Sequence, residues 1–307
     1  MSDIILSILV PTYGHEKYIR KALDSILIQR TRYRYEVIVG EDASPDNTRE
    51  ILKEYKKRFP DIFTMIYRNK NAGGFGNGNC MDLLTRAKGK YLAFLEGDDF
   101  WISCTKIEEQ VSFLETHPDY VAVGCNTIVV DENSNMLEER YPECRDEEYT
   151  LKHFRKNILP GQTSCMMYRI EICKEIYSDL IWNSNPVPGD KILFLGAVTK
   201  GRICCIQKEM SAYRHIVSKG FSYSANKKKD FYEQLDWYVD LISFSRRLKR
   251  RNAVYAAKGT CLAFLFWDGL RNKKISFFVF FKIMAEVKIT LYVLILKVLD
   301  FLFEIKP

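Results

Sequence analysis

The chain has 307 residues, 47% hydrophobic and 28% charged, a composition that fits a packed globular protein and excludes a disordered one. Its net charge of +7 sits in the tail: residues 219–307 carry 17 Lys and Arg against 8 Asp and Glu, while the rest carries 29 against 31. Nine cysteines, an odd count with no C-x-x-C spacing, read as reduced thiols of a cytosolic protein. The apolar stretch from Ile4 to Val10 follows Asp3 rather than a basic segment and has no small-residue cleavage site, so it reads as a strand and not a secretory signal.

In chain order, strand-like and helix-like runs alternate: Ile4 to Val10, Lys17 to Gln29, Tyr35 to Val39, Thr48 to Phe59, Phe63 to Tyr67, Asn79 to Ala87, Tyr91 to Leu95, Lys106 to Thr116 and Tyr120 to Val130. Alternation of this kind predicts a mostly parallel sheet with helices on both faces, a Rossmann-like α/β architecture. Residues 131–230 are less regular and read as the second half of a cleft. From residue 231 on, three helical segments are expected, Phe231 to Arg247, Ala253 to Leu270 and Ile275 to Ile305, making a C-terminal helical extension. The expected organisation is a catalytic domain over 1–230, divided into 1–130 and 131–230, followed by 231–307.

In open α/β sheets ligands sit at the carboxyl ends of the strands. Here those positions hold Pro11-Thr12-Tyr13, Glu41-Asp42-Ala43-Ser44 and Glu96-Gly97-Asp98-Asp99. Two adjacent acids at a strand end raise each other's pKa unless a cation neutralises them. Carboxylates without clustered His or Cys are hard oxygen ligands, suited to magnesium or manganese bridging to phosphate. None of the four histidines, at positions 15, 117, 153 and 215, has zinc-site spacing. Helix capping accounts for one Asp but not for two together with Glu96. Asp42, also at a strand end, can accept hydrogen bonds from a base or ribose. The cluster Gly73-Gly74-Phe75-Gly76-Asn77-Gly78 is no dinucleotide fingerprint, since it follows the third strand and Asn79 stands where the last glycine belongs. No phosphate loop of the G-x-x-x-x-G-K-[ST] kind occurs.

Four blocks occur in order: Ser7-Ile8-Leu9-Val10-Pro11-Thr12-Tyr13, Val37 to Ser44, Asn69-Lys70-Asn71-Ala72-Gly73-Gly74, and Gly89 to Asp99. Together they resemble the family-two GT-A glycosyltransferases, most clearly over residues 4 to about 118, with weaker matches at Asn157 to Arg169, Pro188-Gly189-Asp190 and Ala212-Tyr213-Arg214-His215. The resemblance implies inverting transfer from a sugar nucleotide, usually a UDP-sugar, with Mg2+ or Mn2+ held on the diphosphate by Asp98 and Asp99. It implies donor contacts from Pro11, Thr12, Tyr13, Glu41, Asp42, Asn79, Glu96 and Asp98, and a general base at Asp190, where a helix-capping role is the alternative. Arg214 and His215 either contact the diphosphate or complete the metal shell, the alternative being a salt-bridged arginine and a surface histidine. Two departures from the family pattern are Glu96 and Glu41, where Asp is usual. The Q-x-x-R-W signature of processive synthases is absent, so one sugar per encounter is expected. A sugar-1-phosphate nucleotidyltransferase and a silent sugar-nucleotide-binding subunit are the rival readings.

The tail supplies the last expectation. A single helix from Lys282 to Glu304 would gather Lys282, Glu286, Lys297, Asp300 and Glu304 on one narrow strip and leave a wide apolar face, preceded by Phe277-Phe278-Val279-Phe280-Phe281 and Arg271-Asn272-Lys273-Lys274. Six charges disfavour a spanning helix. The reading is a helix in the interface of an anionic membrane, with a lipid-linked saccharide as acceptor and no nucleic-acid partner; burial inside the fold or in a homodimer is the alternative.

Overall fold

The computed structural model describes residues 4–73, 77–178, 189–216 and 230–288. Its first half alternates β1 (Leu6–Thr12), α1 (Ile19–Leu27), β2 (Tyr35–Glu41), α2 (Thr48–Arg58), β3 (Phe63–Tyr67), α3 (Asn77–Arg86), β4 (Tyr91–Phe94), β5 (Phe100–Trp101), α4 (Lys106–Thr116) and β6 (Tyr120–Val130). The irregular-looking middle contains β7 (Met136–Arg140), β8 (Glu148–Tyr149), α5 (Leu151–Arg155), β9 (Met167–Arg169), α6 (Ile170–Ser178), α7 (Gly189–Lys200) and β10 (Arg202–Arg214). Three helices follow, α8 (Phe231–Arg247), α9 (Arg251–Phe264) and α10 (Phe277–Glu286), with a π-helical turn at Leu265–Arg271.

All ten strands join one sheet in the order β3-β2-β1-β4-β9-β6-β10-β5, with β7 beside β6 and β8 beside β10. The pairs β3/β2, β2/β1, β1/β4 and β6/β10 are parallel, and β9 is inserted antiparallel between β4 and β6. The strand order reverses at β1, where chain direction places β2 on one side and β4 on the other. Such a reversal opens a crevice at the carboxyl ends of the strands.

The period-two alternation of the strands divides their side chains between two cores. Leu6, Ile8 and Val10 of β1, Val37 and Val39 of β2, and Tyr91 and Ala93 of β4 pack with α1, α2 and α4 on one face. Leu9, Ile38, Leu92 and Phe94 point the other way. The second core continues without a break through α6 and α7 into Leu241, Phe244, Ala257 and Leu262 of α8 and α9. The C-terminal helices therefore share a core with the sheet, and β9 and β10 carry the middle of the chain into the same sheet as β1 to β4.

The tail departs from expectation. α10 ends at Glu286 and Lys288 adopts a left-handed φ of 55°, so a single helix from Lys282 onward is interrupted there. Residues 289–307 lie outside the described residues, as do the turn-rich 183–188 and the segment 218–220. Among the described residues no helix is long and apolar enough to cross a membrane. All nine cysteines are free thiols.

Candidate functional site

Three strand ends converge. Thr12 closes β1, its carbonyl accepting the N–H of Asp42 at 3.1 Å, and the N–H of Gly97 donates to the carbonyl of Pro11 at 3.1 Å. The loops after β1 and β2 are stitched together through Gly14 N to Ser44 Oγ (3.0 Å), His15 N to Thr48 Oγ1 (2.9 Å) and Glu16 N to Asp46 Oδ2 (3.0 Å). Gly14 takes a φ of 70°, a left-handed turn that brings His15 back over the strand end. The His15 ring lies 3.1 Å from Thr12 Oγ1 through Nδ1 and 3.8 Å from Asp98 Oδ2 through Nε2. Gly97 permits this approach: a Cβ there would stand 2.5 Å from Thr12 Oγ1 and 2.7 Å from His15 Nδ1.

The acidic run after β4 divides its labour. Asp99 is buried, its Oδ1 accepting the Arg214 N–H (2.8 Å) and its Oδ2 accepting Gln162 Nε2 (2.7 Å) and Ser164 Oγ (3.2 Å). Both oxygens of Asp99, an expected metal ligand, accept hydrogen bonds from the protein. Asp98 stays partly open, with its side chain 14% exposed. Glu96 accepts the same Gln162 amide at 2.8 Å. Burial, then Asp98, then Asp190 push the Glu96 carboxyl up to about 8. Burial, Asp98 and Glu96 likewise raise Asp99. Three carboxylates, Glu96, Asp98 and Asp99, gather here with the Arg214 guanidinium acting on the last two, and hard oxygen donors of this kind suit a divalent cation.

Asp190 stands in the first turn of α7, with its Oδ1 on the N–H of Lys191 at 2.7 Å. Burial raises its pKa against the opposing pull of Lys191. Its influence on Glu96 and on Tyr141 brings it into the neighbourhood of the acidic run, although 92 residues separate it from Asp98 in the sequence.

Other expected contacts are turned inward. Glu41 is fully buried, accepting the Ser44 N–H at 2.5 Å and Arg49 Nε at 2.6 Å, so it shapes the loop that carries Asp42 and the left-handed Ala43. Asn79 donates to the Gly40 carbonyl (2.8 Å) and accepts from Arg68 Nε (3.2 Å), which pins α3 to β2. Arg214 is buried against the Tyr18 and Phe100 rings and donates to the carbonyls of Asp98, Asp131 and Glu132. The ring of His215 pairs with Glu139 of β7 instead of joining Asp98 and Asp99. Asp42 remains at the crevice, its Oδ1 on the Ala72 N–H (2.9 Å) and 3.5 Å from Arg68 Nε. Burial raises its pKa. Pro11 and Tyr13 are half-buried on either side of Thr12.

Sequence reasoning did not single out His15, Gln162, Ser164 or Arg68. Gly14-His15 directly after a strand end is a readable signal for the first, and Arg68 directly after the predicted strand Phe63 to Tyr67 is another; Gln162 and Ser164 lie just before the three-residue β9, which has no sequence signature.

A family profile described as Glycosyl transferase family 2 matches residues 7–177. The chain belongs to glycosyltransferase family 2. It is 30% identical over 236 residues to the uncharacterized protein Rv1520 of Mycobacterium tuberculosis, a match covering 74% of this chain and 64% of that protein's length. Over 112 residues it is 36% identical to an Escherichia coli protein named UDP-Glc:alpha-D-GlcNAc-diphosphoundecaprenol beta-1,3-glucosyltransferase WfaP, covering 36% of this chain and 42% of that one. The crystal structure of S. aureus TarS 1-349 in complex with UDP-GlcNAc superposes with a TM-score of 0.67 at 17% identity, covering 96% of this chain and 79% of the other. At that identity the likeness concerns the fold, and the family-two GT-A architecture expected from the four sequence blocks is the one observed.

Proposed function

We propose that this family-two glycosyltransferase moves one sugar from a UDP-sugar to the hydroxyl of a lipid-linked saccharide, with inversion at the anomeric carbon. The observation that carries the reading is the convergence of Thr12, Asp42, Glu96 and Asp98 at the strand-order reversal, with a half-buried carboxylate, Asp190, close enough to bear on Glu96. Thr12 and Asp42 stand where a nucleoside would bind, and Asp98 would hold Mg2+ or Mn2+. When bound, the cation supplies positive charge to the departing diphosphate. The acceptor oxygen forms its bond to the anomeric carbon as the carbon–oxygen bond to the diphosphate breaks on the opposite face. Asp190 takes the hydroxyl proton, and its burial makes it a stronger base than a solvated carboxylate. Glu96 lines the donor side of the crevice with Asp98, and Gln162 braces Glu96 and Asp99.

The acceptor class is supported by the substrate in the name of the WfaP relative and by a surface of the C-terminal region. Phe277, Phe278 and Phe281 of α10 are 72%, 79% and 60% exposed, beside exposed Phe266 and Trp267 and the basic Arg271, Lys273, Lys274 and Lys282. Aromatic rings ringed by cations suit the interface of an anionic bilayer, where a lipid-linked acceptor resides.

Incubation with a panel of sugar nucleotides, following the nucleotide product, tests the reading. UDP release from one UDP-sugar, accelerated by a polyprenyl-diphosphate saccharide, is expected. Pyrophosphate release would instead indicate a nucleotidyltransferase, and tight binding without turnover a silent subunit.

A further inference from the structure

The backbone of His15 is held at the crevice on both sides. The left-handed turn at Gly14 delivers it, its N–H donates to Thr48 Oγ1 at 2.9 Å, and its carbonyl accepts the N–H groups of Tyr18 and Ile19, both at 2.9 Å, where α1 begins. Rotation about the side-chain bonds is the freedom left, and Thr12 limits it, with Nδ1 standing 3.1 Å from Thr12 Oγ1. Nε2 is thereby directed to Asp98, 3.8 Å from Oδ2, the two side chains being 11% and 14% exposed. Asp98 is anchored as well, its carbonyl accepting Arg214 Nε at 2.8 Å. A Cβ at Gly97 would stand 2.7 Å from Nδ1, so the bare glycine is what admits the ring.

We propose that His15 Nε2 is the nitrogen ligand that joins Asp98 on the divalent cation of the donor site, and that it makes this site selective for manganese over magnesium. The inference rests on the transferase reading above. His215, the histidine expected in the metal shell, is held by Glu139 of β7, and both oxygens of Asp99 accept hydrogen bonds from the protein. The loop after β1 offers an imidazole in its place. Ligand atoms about 2.1 Å from an octahedral ion stand roughly 3.0 Å apart at adjacent positions and roughly 4.2 Å apart at opposite ones. The observed 3.8 Å lies between the two, so rotation of the Asp98 carboxylate brings the pair to adjacent positions with no backbone movement.

The protonation state fits the same role. A ligating imidazole nitrogen must be unprotonated. A threonine hydroxyl accepts as well as donates, so the neutral tautomer with its proton on Nδ1 is satisfied by Thr12 Oγ1 and leaves the Nε2 lone pair towards Asp98. No proton is displaced when the ion binds, and the Nδ1–H bond to Thr12 is the outer contact that orients a ligating histidine. Magnesium favours an all-oxygen shell and dehydrates reluctantly, whereas imidazole suits first-row transition ions, and this difference is the source of the selectivity.

The test titrates the full chain with manganese(II), alone and with UDP, and examines the bound ion by pulsed electron paramagnetic resonance. The native chain should show nitrogen coupling to the manganese, and the coupling should change when histidine alone carries the heavy nitrogen isotope. His15→Gln should lose it and bind manganese at least about tenfold more weakly, the loss expected even for an outer partner of a ligand, with a smaller change for magnesium. His215→Gln should keep it. His117, stacked on Phe113, and His153, paired with Asp146, are engaged elsewhere, so histidine coupling retained in His215→Gln assigns His15 even without a folded His15→Gln. Coupling that persists in folded His15→Gln, or is lost in His215→Gln, overturns the proposal, and equal weakening of magnesium overturns the selectivity. Manganese bound to the native chain without histidine coupling also overturns it, while the metal reading of Asp98 stands. A native chain that binds no manganese, with or without UDP, overturns both.

Discussion

Asp98 and Asp99 are chemically identical neighbours with opposite surroundings, and substitution should separate them. Asp98→Asn removes charge from the partly open carboxylate, so metal-dependent transfer should drop about 100-fold or more with the melting temperature unchanged. In Asp99→Asn the backbone N–H of Arg214 forces the amide oxygen to one side, which turns the new NH2 against the Gln162 donor. One unmet buried donor costs about 1 to 3 kcal/mol, visible as a lowered melting temperature before any change in metal affinity. Asp190→Asn should cut turnover by about 10²- to 10⁴-fold while the calorimetric affinity for donor stays nearly intact, because the base acts on the acceptor. Since the base works ionised and burial raises its pKa, the native rate should rise with pH through a value above the ordinary carboxylate range of about 4. A profile already flat at that pH would count against Asp190. The acidic run was legible because charge at a strand end demands a partner. Which oxygen faces the crevice was not, since that depends on Gln162 and Ser164, 63 and 65 residues from Asp99.

Among the elements, β1, β2 and β4 were readable as continuous apolar runs because both their faces are covered, and α4, α8 and β6 keep the bounds their periodicity sets. β10 was not. Its stretch Ile206-Gln207-Lys208-Glu209 interrupts the alternation, and the register with β6 shifts there, between Ile206 and Glu209 and again before Ser211. β9, only three residues long, owes its place to pairing with β4 and β6 and has no local signal. The expected cleft half therefore reads only as less regular, and within it Gln162 and Ser164 carry no signal as partners of Asp99. Close strand packing also yields a prediction. A Cβ at Gly89, just before β4, would meet Ser7 N at 2.5 Å, the Leu6 carbonyl carbon at 2.7 Å and the Tyr91 carbonyl oxygen at 2.9 Å. All three are backbone atoms within the sheet and cannot rotate away. Gly89→Ala should destabilise the chain by about 1 to 3 kcal/mol or more, measured by denaturant unfolding. Unchanged stability would mean that β1 and β4 are less closely coupled than their pairing indicates.

At the scale of the whole molecule, the basic excess and the exposed aromatic rings occupy the same region, and the helix that carries them divides its apolar residues. Phe280, Ile283, Met284 and Val287 enter the core shared with α8 and α9, while Phe277, Phe278 and Phe281 face outward. The sequence presents Phe277 to Phe281 as one aromatic run before a wide apolar face, and because both α10 surfaces are apolar only packing tells its buried rings from its exposed ones. Burying one such exposed ring in a bilayer interface gains on the order of 1.5 kcal/mol, and each cation near an anionic surface about 1 kcal/mol. Both contributions fit reversible association rather than permanent insertion. Phe277→Ser together with Phe278→Ser should then weaken partitioning onto phosphatidylserine-containing vesicles by roughly a hundredfold, at about tenfold per 1.4 kcal/mol. Lys273→Gln with Lys274→Gln should reduce it less and remove much of its salt dependence. Neither pair touches the crevice, so UDP release in solution should be unchanged. Cosedimentation at low salt reads the effect directly. If the native chain stays in the supernatant, or if the rings instead bury themselves in a dimer seen by analytical ultracentrifugation that the Phe277→Ser/Phe278→Ser variant abolishes, the aromatic face belongs to a second copy of the chain and not to a membrane.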